Sequence, residues 1–336
     1  MNQQRMKNSE QFEIIINDLV NGKINTGLPP QKRWIPKYVY HFTDLINAKN
    51  ILTSGYIYSR SLAKQLEIME KDNASQEIID HTEEKWKSYA RFYFRPKTPT
   101  QYHNEGIRCS HQINQVLKAH CPVPIFFLFD SLSMLTMEES KFTYGNLAAE
   151  GTITYEDAKD FKNMPFSSVY HEGYFDRENE HYIVYNRHAE LIVPRKASLQ
   201  YLRRIVCRSN AEKETLINLL DSEVKEKYKG MIIVDTRNAF FNGCYTFVEE
   251  ANLTSDKIIF TFNQSKEEVL FNAKLRIYEV STGLEYKWKN EKYPTHQSLE
   301  FDLSTMRDSD SYSVEFFLDE HLAYRGVYVK KDSLPF

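Results

Sequence analysis

Near residue 241 the hydrophobic pattern of this chain changes period. Beyond that point "KIIFTFNQ", "EVLFNAKLRIYEV", "YKWK", "SLEFDLS", "YSVEFFLD" and "AYRGVYVKK" alternate apolar and polar residues, with turns such as "STGLE" and "RDSDS" between them. A period of two makes strands with one buried and one wet face. Several of them at a spacing of about 8–12 residues predict a small all-β sandwich. Before that point short strands mix with helical stretches, which predicts an α+β body. Three parts follow: an N-terminal amphipathic helix and linker over 1–29, a body over 30–242, and a β-sandwich-like accessory domain over 243–336.

Within the first part Phe12, Ile15, Ile16, Leu19 and Val20 recur at helical spacing, and Gly27 with Pro29-Pro30 breaks the run. In the body, "YVYHF" reads as a strand. "DLINAKNILTSG" reads as a helix capped by Asp44 and ended by Gly55, and "YIYSR" as a second short strand. Residues Ser61 to Lys87 are mostly charged, with helical periodicity at Leu62, Leu66, Ile68 and Met69, and read as too polar for a core. "YARFYF", "VPIFFLFDS", "HYIVY", "HAELIV" and "MIIVD" are expected strands. "NAEKETLINLLDSEVKEKY" is an expected helix capped at Asn210.

Several function classes are disfavoured at once. With 11 glycines in 336 residues there is neither a GxGxxG nor a GxxxxGK[ST] loop to cradle a phosphate. No apolar run approaches the roughly 20 residues that cross a bilayer. The N-terminus shows no signal-peptide core, so no membrane role is expected. Cys109, Cys121, Cys207 and Cys244 are scattered without a CxxC pair, which reads as reduced thiols in a cytoplasmic protein, with no metal site. The net charge of -3 gives no general sign of a nucleic-acid partner, so any basic surface must be local. "RFYFRPK" (Arg91 to Lys97) and "LRRIVCR" (Leu202 to Arg208) are the best local clusters, although both could be solvated strand ends.

Three polar groups stand in unusual settings. Glu190 opens the apolar run Leu191, Ile192, Val193, where a carboxylate is expensive unless it is paired or used. Alternation puts His41 and Thr43 on one face of their strand and Phe42 on the other. In "FYF", Phe92 and Phe94 share a face and Tyr93 takes the opposite one. Taken singly, each has a bland explanation, such as a structural histidine or a carboxylate turned to solvent.

Taken in order, "YVYHFTDLINAKNIL", "YARFYFRPKTPTQY", "FTYGNLA" and "HAELIV" resemble the DarT family of nucleic-acid ADP-ribosyltransferase toxins. "LRRIVCRSNAEKETLINLL" and "MIIVDTRNAFF" resemble the family's closing helix and strand, so the resemblance spans about residues 36–242. It implies an ADP-ribosyltransferase-like split β-sheet with helices, with NAD as co-substrate and no metal. It implies that Glu190 is the catalytic glutamate, acting with His41 and Tyr93, and that His41, Thr43, Asn47 and Tyr93 bind NAD. A carboxylate in that place stabilises the positive ribose that forms when nicotinamide departs. The segment before Glu190 matches the place where such enzymes read the acceptor. Tyr170, His171, Tyr174 and Phe175, with Arg91 and Arg95, are therefore expected to bind single-stranded DNA or RNA.

One departure is visible. The family's thymidine-modifying members carry an arginine in the helical segment after the first strands. Here Ser61–Ala90 contains none, and only Arg60 and Arg91 bracket it. Lys71, Lys85 and Lys87 lie inside the stretch but lack the planar two-pronged donor. The acceptor base therefore stays open. The family precedent places such a protein in a toxin–antitoxin or anti-phage system. The tail is then expected to bind a cognate antitoxin, a chaperone or a phage component, and not to join the active site. Three competing activities remain: an inactive NAD-fold binding module, an NAD glycohydrolase and a protein ADP-ribosyltransferase.

Overall fold

The computed structural model describes residues 8–68, 83–113 and 119–330. Contacts divide the chain into two compact units. One takes in the chain up to His103 and Phe126–Ile205. The other takes in Val206 onward, His120–Ile125 and the segment that begins at Asn104.

The first unit opens with α1 (Ser9–Val20), whose Phe12, Ile15, Ile16 and Leu19 are buried at the expected spacing. α1 packs against the short helices Ser131–Leu135 and Ala158–Lys162. β1 (Tyr38–Asp44) runs into α2 (Leu45–Ser54). As expected, the Asp44 side chain accepts from the Ile46 amide at 3.2 Å, and Gly55 ends the helix at φ +78°, a conformation glycine adopts without strain. β2 (Tyr56–Tyr58) and α3 (Arg60–Gln65) follow. Part of the charged Ser61–Lys87 stretch, including Met69 and Lys71, lies outside the described residues. The expectation that this stretch holds no core residue fails at Trp86, which is buried against Leu147 and Ile192.

Next come β3 (Tyr89–Tyr93), β4 (Pro124–Asp130), apolar up to its last residue, and β5 (Lys141–Phe142). "HYIVY" departs from expectation: it belongs to α4 (Arg177–Asn186), not to a strand. Glu178 and Glu180 favour the helix N-terminus, and Ile183 and Asn186 are buried three residues apart, so the helical period prevails over branched-residue content. β6 (Glu190–Pro194), β7 (Lys196–Ser198) and β8 (Leu202–Cys207) complete the series, with β7 pairing β2.

β5, β6, β3, β1, β4 and β8 lie side by side in that order. Among the described residues the join between β3 and β1 is one paired position, Tyr40 opposite Tyr93. The sheet therefore splits there, as the family resemblance implied. β5-β6-β3 stands on one side and β1-β4-β8 on the other. β3 and β6 are in full register from Tyr89 opposite Pro194 to Tyr93 opposite Glu190, which brings Glu190 to the split.

The second unit holds α5 (Asn210–Leu219), α6 (Ser222–Tyr228) and β9 (Ile232–Val234). The expected single helix is broken at Leu220, whose ψ of 139° is extended. Its cap is Ser209, which accepts from the Glu212 amide, not Asn210. The sandwich follows: β10 (Val248–Leu253), β11 (Lys257–Phe262), β12 (Leu270–Glu279), β13 (Glu285–Pro294), β14 (Leu299–Asp302), β15 (Ser311–Leu318) and β16 (His321–Val329). They form a three-stranded sheet, β10-β11-β14, and a four-stranded sheet, β13-β12-β15-β16. β10 escaped the pattern because a register shift after Val248 spoils its alternation. Phe260, Phe316 and Tyr324 anchor the shared core, with Phe260 and Phe316 stacked at 4.8 Å. Ile107, Cys109 and Ala211 also lie in that core, far from it in sequence.

A buried ion cluster stands beside it. The Arg208 guanidinium grips Glu212 in a buried two-pronged pair and lies 4.0 Å from Glu105. Glu105 also accepts the backbone amides of Asn242 and Gly243 at 2.9–3.0 Å. "LRRIVCR" is therefore not one basic surface: Arg203 and Arg204 are exposed, but Arg208 is interior. Removing one partner of a buried pair strands the other charge. Arg208→Met is accordingly expected to lose about 3–5 kcal/mol of stability, read as a lower urea midpoint at unchanged slope.

Candidate active site

The split in the sheet gathers residues from three strands. On β3 the side chains of Arg91 and Tyr93 alternate with the buried Phe92. Glu190, the first residue of β6, is 1% exposed. Arg91 reaches it with both prongs, Nε to Oε2 at 2.6 Å and Nη2 to Oε1 at 2.8 Å. Burial pushes the Glu190 carboxyl above the ordinary range, and the guanidinium works against that shift. The Glu190 backbone is held as well. Its amide donates to the Thr143 hydroxyl at 3.2 Å, and the Thr143 amide donates to its carbonyl at 2.8 Å. Thr143 is fully buried, and its hydroxyl donates to the Gly145 carbonyl.

His41 sits on β1 with its ring 5.8 Å from Phe92 and 6.4 Å from Phe127, while Phe42 packs on Phe126 from the other face. The predicted alternation holds. Burial lowers the His41 pKa to about 4, so the ring is neutral near pH 7. Its Nδ1 lies 3.1 Å from the Arg91 carbonyl, which can only accept. The proton therefore resides on Nδ1, and Nε2 is left as an acceptor. Thr43 is buried on the same strand, and Asn47 is half-buried on the third residue of α2.

Tyr93 belongs to a polar chain that single residues could not foretell. It is hydrogen-bonded to Thr100, and the Thr100 hydroxyl lies 3.0 Å from His188 Nε2. His188 Nδ1 lies 2.9 Å from the Val184 carbonyl. Burial keeps His188 neutral, with a pKa of about 4, so its one proton goes to that carbonyl and Nε2 accepts from Thr100. The Tyr93 phenol is pushed up to about 12 by burial and by Glu190, and it stays protonated.

The two arginines that bracket the arginine-free stretch both come here. Arg91 serves Glu190, and the charge of Arg60, at the start of α3, is felt by Tyr93. The pairing of Arg91 was legible only in part: "RFY" places it on the face of Tyr93, but nothing local says that it meets residue 190.

The expected nucleic-acid residues divide. Tyr174 is 87% exposed, and His171 and Phe175 are half-buried with their rings 5.8 Å apart. Tyr170 is buried and stacks on Phe166, so it offers no face to a base. Arg95 is likewise interior: it donates to the carbonyls of Pro96, Val169 and His171 and holds the start of the 171–176 loop. Among the described residues no group of His, Cys, Asp and Glu could hold a metal ion, and no helix is long and apolar enough to cross a membrane.

Comparison with known proteins gives one family. The family model described as "ssDNA thymidine ADP-ribosyltransferase, DarT" matches residues 40–240. Among solved structures, DarT of Thermus sp. 2.9 in complex with ADP-ribosylated ssDNA is 14% identical with a TM-score of 0.48, over 61% of this chain and 96% of that one. The same protein in complex with NAD+ is 13% identical with a TM-score of 0.44, over 60% and 96%. Thermosipho africanus DarTG in complex with ADP-ribose is 18% identical with a TM-score of 0.46, over 65% of this chain and 53% of that one. No curated protein matches the sequence.

Proposed function

This chain belongs to the DarT family of ssDNA thymidine ADP-ribosyltransferases, and from that premise we propose that Glu190 is the carboxylate with which it modifies a base in single-stranded DNA. It is an NAD-dependent ADP-ribosyltransferase with NAD as co-substrate. The observation that carries the assignment of Glu190 is its setting: a buried carboxylate at the split in the sheet, held on both oxygens by Arg91 and directly opposite Tyr93.

The polar groups at the split suit the co-substrate. Ribose hydroxyls need acceptors, and Glu190 and the free Nε2 of neutral His41 both accept. Bound NAD supplies a ribose carbon that gains positive charge as nicotinamide leaves. Glu190 stabilises that charge as it develops, because its carboxylate is already oriented and shielded from water. His41, Thr43 and Asn47 hold the dinucleotide from the β1–α2 side. Tyr93, fixed through Thr100 and His188, sets its ring beside the nicotinamide. Glu190 then takes the proton of the attacking base nitrogen. His171, Tyr174 and Phe175 receive the strand, and Arg91 acts on Glu190.

We assign the transferase work to residues 30–242. The tail over 243–336 we assign to a protein partner, a cognate antitoxin first, in a toxin–antitoxin or anti-phage setting. Support for the tail's role is that β10 to β16 lie beyond the family match and that Val327 and Val329 leave apolar surface exposed on β16. The four cysteines are free thiols, which suits the cytoplasm.

Incubation with NAD and separate DNA and RNA oligonucleotides, read by intact mass, tests the activity. A gain of one ADP-ribose on DNA is expected. A gain on RNA alone would move the acceptor, and NAD consumption without any adduct would make the protein a glycohydrolase. His41→Ala is expected to weaken NAD binding about tenfold in calorimetry, the loss of one well-placed hydrogen bond. Unchanged affinity with a lowered melting temperature would make His41 a packing residue.

A further inference from the structure

Two residues beyond Tyr93, just past the end of β3, comes Arg95, whose side chain is buried. Arg187, which follows α4, stands beside it. Burial first and then Arg187 bring the Arg95 pKa down to about 9. His171 is lowered by burial and by both arginines. The acid nearby is Glu172, already paired with Lys32 at 2.7 Å. Among the described residues no carboxylate forms an ion pair with Arg95 or Arg187. Arg187 donates to the Lys97 carbonyl at 3.3 Å, yet its Nε has no hydrogen-bond partner, and neither has Nδ1 of His171. Crowded cations with unused donors are unfavourable alone and favourable around an anion.

We propose that Arg187 and His171 bind a phosphate of the acceptor strand beside the base presented to Glu190, while Arg95 fixes the loop that carries His171. The proposal rests on the transfer to single-stranded nucleic acid proposed above. The side of the site decides between a strand phosphate and the pyrophosphate of NAD. Arg187 lies three residues before Glu190 on the β6 side of the split, whereas His41 and Asn47 approach from β1 and α2. The exposed ring of Tyr174 and that of Phe175 follow His171 in the same loop, so a stacking surface adjoins the phosphate. A phosphate held there carries no sequence information but sets which nucleotide reaches Glu190. The planar guanidinium suits the task because its Nε and Nη donors match two phosphate oxygens.

Full-length Arg187→Gln should bind a fluorescein-labelled single-stranded DNA oligonucleotide about tenfold more weakly at low salt, with the slope of log affinity against log salt reduced by about 0.7, one phosphate contact. Its NAD affinity should equal that of the unaltered protein. Unchanged oligonucleotide affinity and slope would overturn the proposal. So would a fall in NAD affinity with intact strand binding, which would give the phosphate to the dinucleotide. If circular dichroism shows Arg187→Gln unfolded, His171→Asn replaces it under the same two criteria. An unaltered protein that binds NAD but neither binds nor modifies any oligonucleotide overturns the transfer reading and this proposal together. Normal modification by an Arg187 variant overturns this proposal alone.

Discussion

Glu190→Gln is expected to lower single-turnover transfer by about 100-fold or more, while NAD binds within a few-fold of normal. The amide is nearly isosteric and still offers an oxygen to a ribose hydroxyl. What it lacks is the negative charge, whose effect is greatest when the ribose is most positive, so the loss belongs to turnover and not to binding. Arg91 loses its charged partner in the same variant, but Arg91 is 31% exposed in its side chain and water can satisfy it. A folded variant that retains near-normal turnover would exclude Glu190 as the catalytic carboxylate.

Arg91→Ala should do comparable harm by another route. Without the guanidinium a carboxylate that is 1% exposed has lost its one strong counter-charge, and its pKa moves further up. A carboxyl whose folded pKa is raised contributes stability below its unfolded pKa and loses it as pH rises through the folded value. The variant should therefore lie closer to the unaltered protein in urea melts near pH 5 than near pH 8, where the difference should reach about 3–5 kcal/mol. Its activity should fall, and the acid limb of its pH–rate profile should move to higher pH. A rate loss with no movement of that limb would mean that Arg91 positions a substrate instead of keeping Glu190 ionised.

Local pattern made much of this protein legible. Period two along "YVYHFTD" set His41 against Phe42, and the rings of Phe126 and Phe127 bear this out by packing on opposite faces. Asp44 and Gly55 bounded α2 because a cap and a left-handed stop each need only a few neighbouring residues. The tail's strands were readable for the same reason, apart from β10. Local pattern misleads where two signals compete. "HYIVY" carries branched and aromatic residues that favour a strand, yet acidic residues at its start and burial at Ile183 and Asn186 made a helix.

What the sequence determined by itself is whatever depends on residues a few places apart: the two classes of architecture, most strands, the caps, and the anomaly of a carboxylate opening an apolar run. What only tertiary structure decided depends on chain segments that meet from afar. Arg91 and Glu190 are 99 residues apart, and no spacing rule predicts that they share two hydrogen bonds. Thr143 clamps the same glutamate across 47 residues. Tyr170 and Arg95 looked like ligands for a strand because aromatic and basic side chains do bind nucleic acid, but packing turned both inward. Ile107 and Cys109 entered the sandwich core although their neighbours in sequence gave no alternating pattern to mark them. Period and capping act within a turn or a strand, whereas burial and charge pairing are settled when distant segments close on one another.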